Sequence, residues 1–236
     1  MTGRLRDLRP GDGGWPTQLN DLGSDRPKQL FVNGTGALRL MALRSVAIVG
    51  ARRASPQGLA VAERLAAELA AAGWTIFSGA ARGIDTAAHL GAMSAGGTTC
   101  AVVAGGLERI QSTATYRILE RVAGTGLVVA EQGGREAPRK HNFLERNRLI
   151  AAMTRATIVI EAAERSGALN TARWAERLGR VVMITPGGAL SGNSRGTHAA
   201  VRDGWAVLVR DTADVLELLE PIGWECPPGL GKWLSC

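Results

Sequence analysis

Ser45-Val-Ala-Ile-Val-Gly50, then Pro56-Gln-Gly-Leu-Ala-Val-Ala-Glu-Arg-Leu-Ala-Ala-Glu-Leu-Ala-Ala-Ala-Gly73, then Trp74-Thr-Ile-Phe77 is the stretch that decides the fold. The first run is apolar at nearly every position rather than at alternate ones, the pattern of a strand covered on both faces. The second is rich in Ala, Leu, Arg and Glu, as a helix is. Ser55 stands as its N-cap, Pro56 at its first position and Gly73 as the residue that ends it. A buried strand, a helix and another buried strand make a βαβ unit, whose strands lie parallel.

Outward from there the unit repeats. Thr98-Thr-Cys-Ala-Val-Val103, Leu127-Val-Val-Ala130, Ala156-Thr-Ile-Val-Ile160, Arg180-Val-Val-Met-Ile184 and Ala206-Val-Leu-Val209 are further apolar runs. Helical stretches fall between them, one ending near Ala95 and others over about 115–123, 144–152 and 168–178. Such alternation predicts an α/β fold: a Rossmann-like, doubly wound, mostly parallel sheet with helices on both faces. A further strand is expected at Gln29-Leu-Phe-Val-Asn33. The chain divides into an N-terminal extension packing on the core (1–43), the core itself (44–220) and an irregular Pro/Gly-rich C-terminal tail (221–236).

The 236 residues carry a formal net charge of +7, which favours a polyanionic partner. Three cysteines, Cys100, Cys226 and Cys236, make neither a disulfide framework nor a metal clip, and Cys100 reads as a small core residue. No run reaches membrane-spanning length and the N-terminus lacks a signal-peptide core, so a cytoplasmic location with no membrane partner is expected.

In an open parallel sheet the loops after the strands all emerge on one edge, where ligands bind. Here those loops carry Arg52 and Arg53, Arg82, Arg109, then Arg135, Arg139 and Lys140, then Arg165, and finally Arg195. Glu131, Glu136, Glu161 and Glu164 dilute this cationic rim without cancelling it. Gly50-Ala-Arg-Arg, Ser78-Gly79, Gly105-Gly106, Ser166-Gly167 and Gly187-Gly188 occupy the turns, where backbone N–H groups can converge on an anion. Glycine in one such turn serves backbone geometry; recurring together with arginines, it points to a track for a phosphate backbone. His89, His141 and His198 have no zinc-like spacing, and neither a nucleophile elbow, a P-loop nor GxGxxG is present. No cofactor, metal or catalytic residue is expected.

In order along the chain, several segments resemble the DNA-processing protein A (DprA/Smf) family. They are Ser45-Val-Ala-Ile-Val-Gly-Ala-Arg52, Ser78-Gly-Ala-Ala-Arg-Gly-Ile-Asp85 with Ala88-His89, and Gly105-Gly-Leu107. Phe143-Leu-Glu-Arg-Asn-Arg-Leu-Ile-Ala151, Glu161-Ala-Ala-Glu-Arg-Ser-Gly-Ala-Leu169, Pro186-Gly187 and Ser194-Arg-Gly-Thr197 continue the series. The resemblance covers roughly residues 15–220. The helical domain often found upstream and the winged-helix domain often found downstream have no counterpart in it. Ala80 stands where the family usually has leucine, and Glu108-Arg-Ile-Gln-Ser-Thr113 where it usually has a Tyr-Pro pair.

The resemblance implies a non-enzymatic mediator that binds single-stranded DNA, forms a homodimer and helps load a RecA-type recombinase during transformation or recombination. It implies Arg52 as the glycine-rich-turn arginine, and Lys140 and Phe143 as a Lys-x-x-Phe pair. Lys140 would neutralise a phosphate while the ring of Phe143 stacks on a base; packing in the core is the alternative for that ring. Arg146 and Arg148 are expected to line the same pocket, with Asn147 there or bracing the loop. Arg53, Arg82, Arg165, Ser166, Gly167 and Arg195 complete the expected DNA-binding set. The rival is a nucleotide-binding phosphoribohydrolase of the lysine-decarboxylase-like class, which shares this type of sheet. Its Pro-Gly-Gly-x-Gly-Thr-x-x-Glu run is broken here: Ala-Leu-Ser-Gly follows Pro186-Gly-Gly188, and no Glu lies near Gly196-Thr197.

Overall fold

The computed structural model describes residues 5–108, 115–134 and 139–220. Within them the order is β1 (Arg6–Leu8), β2 (Leu30–Gly34), α1 (Leu38–Leu43), β3 (Ser45–Gly50), α2 (Pro56–Ala71), β4 (Thr75–Ser78), α3 (Ile84–Ser94), β5 (Thr99–Val103) and α4 (Tyr116–Thr125). Then come β6 (Leu127–Ala130), α5 (Lys140–Met153), β7 (Ala156–Ile160), α6 (Gly167–Arg177), β8 (Val181–Ile184), α7 (Arg195–Arg202), β9 (Val207–Leu208) and α8 (Thr212–Leu219).

These strands form one sheet in the order β1-β2-β6-β5-β4-β3-β7-β8-β9. From β6 to β9 every pairing is parallel, while β2 joins β6 and β1 joins β2 antiparallel. The mostly parallel α/β fold read from the apolar runs is therefore present. The chain leaves β3 toward β4, β5 and β6, then returns across it to β7. The β3–β7 junction is thus the switch point of the sheet, where two crossovers diverge and a crevice opens.

Alternation along β3 divides the core. Val46 and Ile48 face one layer, in which Leu65 and Leu69 of α2, Ala88 of α3 and Val215 of α8 pack. Ala47 and Val49 face the other, with Leu149 to Met153 of α5 and Ala172 and Ala175 of α6. The N-terminal extension contributes Trp15, Leu19, Leu22 and Leu30 to this second layer. Leu119 and Val122 of α4 close a smaller cluster over β5 and β6. Cys100 is buried on β5.

Ser55 caps α2 as expected: its Oγ accepts from the Gly58 N–H at 3.0 Å, and Gly73 adopts φ +80° beyond the helix. Helix α5 starts at Lys140, four residues before the expected Leu144, because the Asn142 side chain accepts from the Arg139 N–H at 2.7 Å and fixes an earlier first turn. Short elements carrying little periodicity, β1, α1, α7 and α8, were not expected. No helix among the described residues is long and apolar enough to cross a membrane. The tail at 221–236, with Cys226 and Cys236, lies outside the described residues.

Candidate nucleic-acid interface

Because seven strands run parallel, the loops after β3, β4, β5 and β7 meet along one edge, and two adjoining clefts open there. One, of about 600 Å³, lies over the ends of β4 and β5, between Ala80, Ala104, Gly106 and Leu119. The other, of about 670 Å³, lies at the β3–β7 switch point, between Gly50, Asn147, Arg165, Ser166 and Gly167. Arg52, Arg53, Phe143 and Arg146 line both.

The wall between the clefts is set by helix α5. Phe143, Arg146, Asn147 and Ile150 recur at i, i+3, i+4 and i+7, so they share one face. Phe143 is 37% exposed, in the first turn of the helix. The Arg52 guanidinium lies 5.5 Å from the centre of its ring, a cation–π arrangement that leaves a charge and an aromatic face side by side. Lys140 opens the same helix one turn earlier.

Arg146 is a floor residue and not a surface cation. It is 7% exposed, its Nη1 donates to Gly79 O at 2.9 Å and also to Val102 O, and its Nε has no partner. Asp85, equally buried, accepts from the Ala81 N–H at 3.2 Å. The two side chains flank Gly79: a Cβ there would lie 2.6 Å from Arg146 Nη2 and 2.7 Å from Asp85 Oδ2, so only glycine fits. Burial pushes the Asp85 carboxyl up, against the pull of Arg146. Burial likewise lowers Arg146 to about 10, opposed by Asp85 and reinforced by the neighbouring charge of Arg52. Two non-glycine residues in left-handed conformation, Ala80 (φ 55°) and Glu161 (φ 56°), also sit on this edge, where strain of this kind concentrates.

Behind the pair lies His89, fully buried on α3. The Thr99 hydroxyl donates to Ile76 O at 2.7 Å, so His89 Nδ1–H must donate to Thr99 Oγ1, also at 2.7 Å. Its Nε2 has no partner. Burial, reinforced by the charge on Arg146, lowers the imidazole pKa from 6.5 to about 3. Between those values the unfolded chain binds the proton and the folded one does not. Stability is therefore fully present above pH 6.5 and is lost as pH falls toward 3. The His89 contribution to this loss is expected to be ~2 kcal/mol between pH 6.5 and 5. Urea unfolding of the protein and of His89→Gln at the two pH values measures it; parallel behaviour of the two would contradict the assignment.

The remaining expected residues divide. Arg53 lines both clefts, Arg82 the first and Arg165, Ser166 and Gly167 the second, and Ser166 caps α6 by accepting from the Leu169 N–H at 3.3 Å. Asn147 braces the rim, as its Nδ2 donates to Gly167 O at 3.0 Å and to Asn170 Oδ1 at 3.1 Å. Arg148 is not brought to the clefts. Two residues beyond Arg146, it points to another side of α5, where it pairs with Glu131 at 2.6 Å and donates through Nε to Asp25 O at 2.8 Å. Arg195 is exposed at the start of α7 and lines neither cleft. Arg109 and Arg135 lie outside the described residues, as does most of the Glu108–Thr113 stretch. Glu161 and Asp85 were missed as site organisers; nothing in a single sequence separates them from solvated acids. No group of three or more potential metal ligands occurs among the described residues.

Comparison with known proteins gives the site its context. Residues 7–220 match the family model described as DNA recombination-mediator protein A. The DNA processing protein DprA of Streptococcus pneumoniae is 40% identical over 209 residues, covering 89% of this chain and 72% of that one. Its crystal structure superposes with a TM-score of 0.83 at 38% identity, over 90% of this chain and 74% of that chain. A Helicobacter pylori structure, reported for the single-stranded DNA binding mode of DNA processing protein A, superposes with a TM-score of 0.81 at 27% identity, over 92% and 96% of the two chains. The chain spans only 59% of the length of the Mycobacterium tuberculosis relatives it matches, at 40% identity over 94% of its own. With its sheet and nearly its whole described length accounted for, this chain belongs to the DNA recombination-mediator protein A family.

Proposed function

We propose that this chain binds single-stranded DNA along the edge formed by the two clefts and acts as a recombination mediator. The observation that carries the reading is the Arg52–Phe143 pair shared by both clefts, where a cation adjoins a half-exposed ring. Backbone phosphates run past Arg52, Arg53, Arg82, Arg165 and Lys140, and an unpaired base stacks against Phe143. A duplex keeps its bases stacked inside and can use only the cations. The net charge of +7 and the H. pylori relative's reported mode of binding support the same reading.

Membership of the family supports two partners. The strand would pass to a RecA-type recombinase, with a second copy of the chain as the dimer partner. The role is one of binding and delivery, without catalysis. The phosphoribohydrolase reading is not favoured, since the acid its motif requires is missing after Pro186-Gly-Gly188.

Arg52→Ala tests the phosphate track. It should weaken oligo-dT binding at every salt concentration and reduce the slope of log affinity against log salt by ~0.7, one phosphate contact on a single strand. An unchanged slope in fluorescence anisotropy titrations would remove Arg52 from the track.

A further inference from the structure

Glu161 follows β7 directly, at the switch point, with φ 56°. In doubly wound sheets this is where the start of the first crossover helix receives a ligand's phosphate. Here the chain's own carboxylate stands there. Glu161 Oε2 accepts from the Ser55 N–H at 2.9 Å, Oε1 accepts from the Ser55 hydroxyl, and Asn193 Nδ2 donates to Oε2 at 3.3 Å. Gly58, in the first turn of α2, leaves room for it: a Cβ there would lie 2.7 Å from both Cδ and Oε1 of Glu161. Three loops, those after β3, β7 and β8, are thus drawn together around one negative charge.

We propose that Glu161 is a specificity-determining residue: its carboxylate takes the place of a terminal phosphate at the start of α2, so the site refuses the phosphate or pyrophosphate of a free nucleotide and leaves the neighbouring clefts to a continuous strand. The carboxylate accepts from all three donors, the Ser55 N–H, the Ser55 hydroxyl and Asn193 Nδ2, and unlike a neutral acceptor it also repels an incoming phosphate. The left-handed backbone of a non-glycine residue is the local cost of aiming that carboxylate at α2. What the exclusion serves rests on the strand-binding reading; the exclusion itself does not.

The test uses inorganic pyrophosphate and thermal melting. Glu161→Gly removes the carboxylate and suits the φ of 56°, so the backbone relaxes as the place opens. Glu161→Gln removes the charge and keeps the place filled. Pyrophosphate at about 5 mM, against sodium chloride of equal ionic strength, should raise the Tm of the Gly variant by roughly 2–4 °C and leave the wild type and the Gln variant unmoved. Equal stabilisation of the wild type overturns the proposal, as does a folded Gly variant, checked by circular dichroism, that shows none. Should the Gly variant fail to fold, the Gln variant decides. With one like charge gone it should bind oligo-dT about twofold to fivefold more tightly at low salt; unchanged or weaker binding overturns the proposal. The pyrophosphate arm contains no DNA, so a wild type that fails to bind oligo-dT would sink the strand reading alone.

Discussion

Arg146→Met is expected to lower the unfolding free energy by about 3–5 kcal/mol, the cost of leaving two buried carbonyls without a donor and a buried carboxyl without its nearby cation. The side chain fits between Gly79 and Val102 and donates to both carbonyls. Methionine fills similar space but leaves those carbonyls without their donor and Asp85 buried without a compensating cation. Asp85→Asn in the same chain should recover part of the loss, because the stranded charge is then gone. Urea denaturation of the two single variants and the double variant gives the coupling. A cost for Arg146→Met below ~1 kcal/mol would show that the pair does not hold the cleft floor. Since this floor underlies both clefts, the destabilised variant should also bind DNA less well, and binding must be read where it remains folded.

Phe143→Ala separates binding from folding. The ring is 37% exposed and sits at the start of α5, so its removal should change stability little. Affinity for oligo-dT should fall roughly 5- to 150-fold, corresponding to the ~1–3 kcal/mol of one base–aromatic stack. The salt slope should stay that of the wild type, because no phosphate contact is lost. Phe143→Trp should keep the affinity. If Phe143→Ala bound as tightly as the wild type, the ring would be a spectator and the track purely electrostatic.

These two residues mark how far the sequence could be read. The sheet was legible because the central strands are apolar at nearly every position, and because Ser55, Pro56 and Gly73 bracket α2 without ambiguity. The position of Phe143 beside Arg52 was legible only through family resemblance; no periodicity brings residues 91 positions apart together. Arg146 and Arg148 looked alike in Arg-Asn-Arg, yet a turn of about 200° between them on a helix sends one under the clefts and the other to Glu131. Asn147, read as either a strand contact or a brace, forms hydrogen bonds that hold the start of α6. The role of Glu161 depends on its backbone turning left-handed and on the missing Cβ of Gly58, and neither is visible before the chain is folded. The antiparallel edge of β1 and β2 was half visible: one strand had the composition, but its direction is a property of the pairing with β6.

The central claim is that this edge selects an unpaired strand, using both its phosphates and its bases. Anisotropy titration of labelled oligo-dT and of a duplex of equal length, each at about 50 mM and about 200 mM salt, tests it most directly. Tight binding of the single strand is expected, with log affinity falling by ~0.7 per phosphate contact against log salt, and with the duplex bound weakly at both concentrations. Equal affinity for the duplex, or no binding of the single strand at the lower salt, would contradict it.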